Sequence, residues 1–325
     1  MENCVARDTI TKTKDEIKDE TQSTTKSTKV KIVWTNVIFM IILHVMGVYG
    51  MLLLPKLKFL TMTWVLFCYI YGGIGVTMGA HRLWAHRSYK AMWPLRLILM
   101  LANSMAAQND IFEWARDHRV HHKYAETDAD PHNANRGFFF AHMGWLLQKK
   151  HPDVITKGKG LDLSDLYADK IVMFQRRYFK TISFTMCVVV PTAVPYLWGE
   201  SLWLAYFTAF ASRYVWLLHA TWSVNSFAHM FGDKPYDVNI NPAENNLVTF
   251  FSCGEGFHNY HHTFPQDYST SEFGTKSNVT TRIINFFAWI GWAYDRKTIP
   301  KDVIIKRMQR TGKLRSVEPG HEQLQ

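Results

Sequence analysis

The chain has 325 residues, 47% of them hydrophobic and 14% aromatic, and Lys and Arg outnumber Asp and Glu by 37 to 27, a formal net charge of +10. Four scattered cysteines, Cys4, Cys68, Cys187 and Cys253, with no CxxC among them, argue against a disulfide-built secreted domain. No basic helix or base-stacking motif accompanies the positive charge, so nucleic acid is not the expected partner; basic loops beside apolar spans, facing an anionic leaflet of membrane lipid, account for it.

Residues 1–30 are polar and rich in Lys, Thr, Asp and Glu, which predicts a disordered cytosolic tail without the apolar core of a signal peptide. From Ile32 to Leu54 the chain is apolar and uncharged apart from any charge on His44, long enough to cross a hydrocarbon core of ~30 Å as a helix. Pro55, Lys56 and Lys58 end it, and a second span from Phe59 to Met78 follows at once. Leu95–Ala107 is apolar but spans only about 13 residues, which suits an interfacial or buried helix better than a crossing. A third span is expected over Thr181–Trp198 and a fourth over Leu202–Trp222, linked by Gly199, Glu200 and Ser201. Two such hairpins put both termini and the central segment His81–Lys180 on one side, and the positive-inside rule makes that side the cytosol. The expected fold is an all-α integral membrane protein, with four transmembrane helices as two hairpins under a cytosolic helical cap. The membrane domain would cover 31–312, followed by a short flexible tail at 313–325. Burial of the same apolar runs inside a soluble protein is the competing reading.

Fifteen histidines are the anomaly of the composition, and eight lie in three clusters. These are His81 and His86 after the second span; His118, His121 and His122 in the central segment; and His258, His261 and His262 after the fourth span. On a helix, positions i, i+3 and i+4 lie close together, so two HxxHH segments can aim six imidazoles at one volume. The HxxxxH pair is about 140° apart on an ideal helix. It must meet at a bend or helix end, or serve two different metals. Eight imidazoles exceed one zinc site and match two metals. Spacing alone leaves iron and zinc open, since imidazole suits both; redox function would select iron. His44, His132, His142, His151, His219 and His321 read as structural or surface residues. A zinc-binding membrane protein without activity, or a metal transporter, is the rival class, although transport would call for ionisable residues within the spans.

The segments GAHRLWAH, QNDIFEWARDHRVHHKYAETDADPHN, RGFFFAHMGWLL, VNSFAHMFGDKPYD and GEGFHNYHHTFP, in this order and with these spans between them, resemble the animal acyl-CoA desaturases of the stearoyl-CoA type. The resemblance runs from about Trp34 to Gly312 and looks most like the insect branch, including the moth enzymes that make pheromone precursors. It implies a fatty acyl-CoA desaturase with two iron ions, which uses O2 and electrons from cytochrome b5 and its reductase and lies in the endoplasmic reticulum membrane with both termini cytosolic. It adds His229 as a ninth ligand, and Asn225 as a ligand through water. It places the CoA moiety of a long-chain acyl-CoA at Asn36, Arg116, Asp117, Lys149 and Lys150. It places a kinked acyl tunnel at Gln108, Trp114, Thr221 and Trp222, with Tyr69 and Gly73 near the closed end.

Read without the resemblance, Lys149 and Lys150 are an ordinary basic loop, Trp114 and Trp222 are interface anchors, and Gly73 packs helices beside Gly72 and Gly75. The chain departs from the family at Phe227, Gln266 and Gly73. The segment Asn241-Pro242-Ala243-Glu244 is similar to a Δ9 form, but the departures at Phe227 and Gln266 suggest a specialised paralogue, Δ11 rather than Δ9. Hydroxylases, conjugases and acetylenases use the same clusters and are the rival reactions. The sequence has no Rossmann, flavin or haem motif, so electrons are expected from a partner.

Overall fold

The computed structural model describes residues 31–313; the expected tails at 1–30 and beyond 313, with Cys4 and His321, lie outside the described residues. Of the described residues, 33–313 fall in one unit. Helix α1 (Trp34–Leu53) shows Ile38, Ile41, Val45 and Leu52 on its outer face and buries Leu43, Gly47 and Gly50. Helix α2 (Phe59–Ile74) runs without a break into a π-helical stretch, Gly75–Ala85. Helices α3 (Trp93–Ala106) and α4 (Ile111–Tyr124) follow, then a short α5 (Phe138–His142). Helix α6 (Lys170–Phe184) continues through Thr185–Val189, Val190–Ala193 and Val194–Trp198. Leu202–Ala205 and a π-helical Tyr206–Ser212 lead directly into α7 (Arg213–Met230). Helices α8 (Asn246–Phe251), α9 (His258–Thr263), α10 (Val279–Trp289) and α11 (Lys301–Thr311) follow. One small element was not expected from an all-α reading. Lys90–Ala91 pairs antiparallel with Ala293–Tyr294, closing the cap.

Among the described residues, three helices are long and apolar enough to cross a membrane: Trp34–Lys56, Phe59–Ala85 and Lys170–Trp198. Four were expected. The fourth lies in the unbroken helical stretch 202–230, which has the length but carries Arg213 and His219 on an inward-facing wall. Arg213 is 2% exposed and donates to the carbonyls of Ala209, Met105 and Cys187. Its charge therefore sits among backbone oxygens rather than lipid, as buried charges in membrane segments do. The third span also starts earlier than expected, at Lys170 rather than Thr181, with non-helical angles at Tyr178.

The two hairpin turns meet. Glu200 Oε2 accepts from the backbone N–H of Lys58 (3.0 Å) and from Thr61 Oγ1 (2.7 Å), while Lys58 Nζ donates to Gly199 O (2.6 Å). At the other contact between hairpins, a Cβ on Gly50 would fall 1.9 Å from Phe207 O, so only glycine lets α1 approach the 206–212 stretch this closely. Gly75 does the same for α2 and α3, where an added Cβ would stand 2.1 Å from Asn103 N. α3 is buried along Leu95, Leu99 and Met100 and exposed at Trp93 and Leu97, and at 14 residues it is shorter than a crossing requires.

Candidate metal centre

Each histidine cluster is positioned by a local feature of its own. At the end of α2 the backbone winds as a π-helix, and the N–H of His86 bonds to the carbonyl of His81 (3.0 Å), an i to i+5 bond. In that geometry residues five apart come back to one face. The 140° separation of an ideal helix disappears, and His81 and His86 join the same group. α4 is started by Asp110, whose side chain accepts from the N–H of Glu113 (2.9 Å). It presents His118 and His122 in one direction and His121 in another. α9 does likewise with His258 and His262 against His261.

The ligand atoms fall into two sets, each within 4.8 Å: His81, His86, His118, His122 and His261, and His121, His229, His258 and His262. The expectation that an HxxHH segment aims all three rings at one volume is corrected. The i and i+4 rings stay together, and the i+3 ring, on the other side of i, crosses to the other set. Nε2–Nε2 separations within the sets are 2.8 Å (His86–His118), 3.0 Å (His81–His261, His122–His261, His229–His258) and 3.1 Å (His258–His262). Metal–nitrogen bonds of about 2.0–2.1 Å at right angles put two donors about 3 Å apart. Burial, followed by repulsion from the neighbouring imidazoles, holds His86, His118, His122, His258, His261 and His262 well below the usual histidine range, so they are neutral and ready to ligate. His121 Nε2 is buried without a hydrogen-bond partner and points into its set. The donor set therefore fits two metal ions.

Three carboxylates stand behind the rings. Glu255 Oε2 is 2.9 Å from His81 Nδ1, Asp130 Oδ1 is 2.9 Å from His121 Nδ1, and Glu126 Oε1 is 3.4 Å from His229 Nδ1. A carboxylate on the far nitrogen fixes the tautomer and leaves Nε2 free for a metal. Burial alone would raise Glu255, but Arg82 and His81 outweigh it and hold its carboxyl at about 2. Asp130 is likewise held low by His121 and His132 against its burial. Sequence reasoning missed all three. The available signal was their place inside the quoted motifs, AETDADPHN and GEGFHN. His132, read as structural, lies with its ring 4.5 Å from that of His121.

A fatty acid desaturase family model matches residues 60–273. The chain belongs to the fatty acid desaturase family. Its similarity falls among the animal stearoyl-CoA and acyl-CoA desaturases. It is 60% identical over 283 residues to an acyl-CoA desaturase of Cyprinus carpio, covering 86% of both chains. It is 59% identical over 282 residues to stearoyl-CoA desaturase 5 of Homo sapiens, again covering 86% of both. It is 56% identical over 302 residues to the stearoyl-CoA desaturase of Homo sapiens, covering 92% of this chain and 84% of the relative.

Next to the desaturase's histidines is a cavity of about 280 Å³, far more apolar than polar. His81, His118, His121 and His258 form part of its wall. Nine of the other residues named from the sequence meet there: Asn36, Tyr69, Gly73, Gln108, Trp114, Asp117, Thr221, Trp222 and Asn225. Gln108 Nε2 donates to Thr221 Oγ1 (2.9 Å), pinning the two walls together. Trp114 stacks on His118, with ring centres 4.9 Å apart. Arg116 and Lys150 line a second cavity of about 360 Å³ with Lys159 and Arg176, and Asp117 borders both cavities. Asp117 takes Arg116 on one oxygen (2.8 Å) and Lys150 on the other. Lys149 lines neither cavity and is exposed.

Proposed function

We propose that this protein is an acyl-CoA desaturase that places a double bond in a saturated long-chain acyl-CoA. The observation that carries the reading is the apolar cavity with two sets of buried, neutral imidazoles in its wall. Nine histidines would hold the metals: His81, His86, His118, His122 and His261 one ion, and His121, His229, His258 and His262 the other, with Asn225 reaching one through water. Two iron ions bound there supply the O2 chemistry that an unactivated methylene requires, which zinc, lacking redox chemistry, does not. The chain's own residues do the rest. Gln108, Trp114, Thr221 and Trp222 hold the acyl chain so that one C–C bond lies beside the imidazole sets. Tyr69 and Gly73 border the end of the chain. Arg116 and Lys150 offer cations to the CoA phosphates, with Asp117 bordering both cavities and Asn36 lining the first; Lys149 adds a surface charge.

Four crossings with both termini and the cap in the cytosol are part of this proposal, an orientation that the basic cap and the paired hairpin turns support; the endoplasmic reticulum as the membrane comes from the family resemblance alone. Electrons come from cytochrome b5 and its reductase, whose acidic face would suit this basic surface. The relatives above are vertebrate enzymes, so they lend no support to a moth-type pheromone role or to Δ11; that preference over Δ9 rests on Phe227 and Gln266 alone. Expression in yeast lacking its own desaturase, with gas chromatography of the methyl esters and chemical location of the double bond, tests the reading. A new internal alkene is expected. Hydroxylated acids without alkenes would replace it with the hydroxylase reading.

A further inference from the structure

Three histidines that belong to neither metal set are joined to each other. His44 on α1 and His219 on α7 meet Nε2 to Nε2 at 3.0 Å, and His142 Nε2 of α5 lies 2.9 Å from His219 Nδ1. The chain is anchored at both ends. His44 Nδ1 is 2.6 Å from Met40 O, and His142 Nδ1 is 2.8 Å from Ser226 Oγ.

A carbonyl only accepts, so His44 carries its proton on Nδ1 and its Nε2 accepts. His219 then donates from Nε2 and accepts on Nδ1, and His142 donates from Nε2. One set of neutral tautomers satisfies every link when the Ser226 hydroxyl gives its one proton to His142 Nδ1 rather than to the Trp222 carbonyl 3.0 Å away, and it locks α1, α5 and α7 together at a level where unpaired polar groups are costly.

All three rings pack on the same residue. Trp222 is stacked with His44 (centroids 6.4 Å, 20°) and edge-on to His219 (5.2 Å) and His142 (5.9 Å). Trp222 is 3% exposed and lines the acyl cavity. Met40, whose carbonyl ends the chain, lines it too. Behind His142 the stack continues outward. Phe138 lies parallel to it at 5.4 Å, and Phe227 stands edge-on to Phe138 at 4.9 Å and to His142 at 6.4 Å. Phe227 therefore buttresses the same wall from the far side.

We propose that His44, His219 and His142, braced by Phe227, are positioning residues for Trp222, and that this wall sets which C–C bond of the acyl chain is desaturated. The inference rests on the acyl-CoA reading above. The physical reason is register: successive C–C bonds of an extended chain are just over 1 Å apart, and misplacement of a reacting group by about 1 Å costs on the order of 100-fold in rate. A wall that holds Trp222 to better than that distance selects one bond; a wall that lets it tilt reaches the neighbouring bonds.

The test uses the full chain in yeast membranes fed saturated acyl chains, with the positional isomers quantified and iron per purified chain measured. His219→Leu removes both links and leaves the His44 acceptor and the His142 donor unpaired. It is expected to raise the minor positional isomers about tenfold while iron stays at the wild-type level. His219→Asn offers an amide donor and acceptor and should restore the wild-type pattern. Phe227→Ala should spread the isomers in the same direction, to a smaller extent. An unchanged isomer pattern in His219→Leu, even with a reduced rate, overturns the proposal. If His219→Leu loses iron, Phe227→Ala decides, and an unchanged pattern there overturns it. An iron-loaded wild-type chain that makes no alkene at all fails the acyl-CoA reading itself, a distinct result.

Discussion

Glu255 divides its two oxygens between an imidazole and a cation: Oε2 lies 2.9 Å from His81 Nδ1, and Oε1 accepts from Arg82 Nη2 at 2.8 Å. Arg82 is fully buried and also donates to Thr281 Oγ1 (2.9 Å) and Tyr268 O (3.0 Å), so His81 is tied to the α10 region of the cap through one carboxylate. Glu255→Gln keeps the shape but leaves Arg82 without its counter-charge. Iron affinity should fall about 10–100-fold, as for other outer carboxylates. Competition with a calibrated chelator measures it, and an unchanged affinity would remove Glu255 from the metal's support.

Loss of single ligands should differ by set. His118→Ala removes one of five donors and should abolish turnover with partial loss of iron. His229→Ala leaves three donors in the smaller set, enough to hold an ion but more weakly, and should lower the affinity for one of two ions. Elemental analysis of the purified variants tests both. Two tightly held ions in His229→Ala would exclude it as a ligand.

Acid should release the metal and destabilise the fold together. The six buried histidines with depressed folded-state pKa values titrate near 6.5 when unfolded. Below that pH the unfolded chain binds more protons, so their contribution is complete above about 6.5 and is lost as pH falls toward their folded values. Metal release has the same sign, since ligands must be neutral. Melting temperature and iron content measured from pH 7.5 to 5.5 should decline in parallel. Glu255 acts in a lower window, its contribution lost only as pH falls from 4.5 toward about 2.

Two neighbouring glycines should behave in opposite ways. Gly75→Ala puts a methyl group 2.2 Å from Ala102 C and should destabilise the α2–α3 contact by about 1–3 kcal/mol or prevent assembly. At Gly73 an added Cβ meets Cys253 Sγ and Leu217 Cδ1 at 3.7 Å, an ordinary contact. Gly73→Ala should therefore fold normally while narrowing the cavity it lines, shifting preference toward shorter acyl chains. Thermal melts in detergent, together with product chain lengths, separate the two effects.

Sequence by itself determined the apolar spans, the two tight turns, the three histidine clusters and the family motifs, because these are local. Hydropathy is written over about 20 residues and an HxxHH over five. The six residues named for the acyl tunnel, Tyr69, Gly73, Gln108, Trp114, Thr221 and Trp222, line one cavity. Only the tertiary structure decided how the histidines divide. His81 and His86 join because the helix end unwinds into a π turn, and His121 and His261 leave their own clusters because a helix turns their rings toward the other set. The pairings of Glu255 with His81 and of Glu126 with His229 were hidden by distance along the chain, which leaves no periodic trace, whereas Asp130 lies nine residues from His121 inside a quoted motif. Arg213 shows the same limit in reverse. Its charge lowered the hydropathy of the fourth span, and only the carbonyls of Met105 and Cys187 around it explain why that charge is held inside.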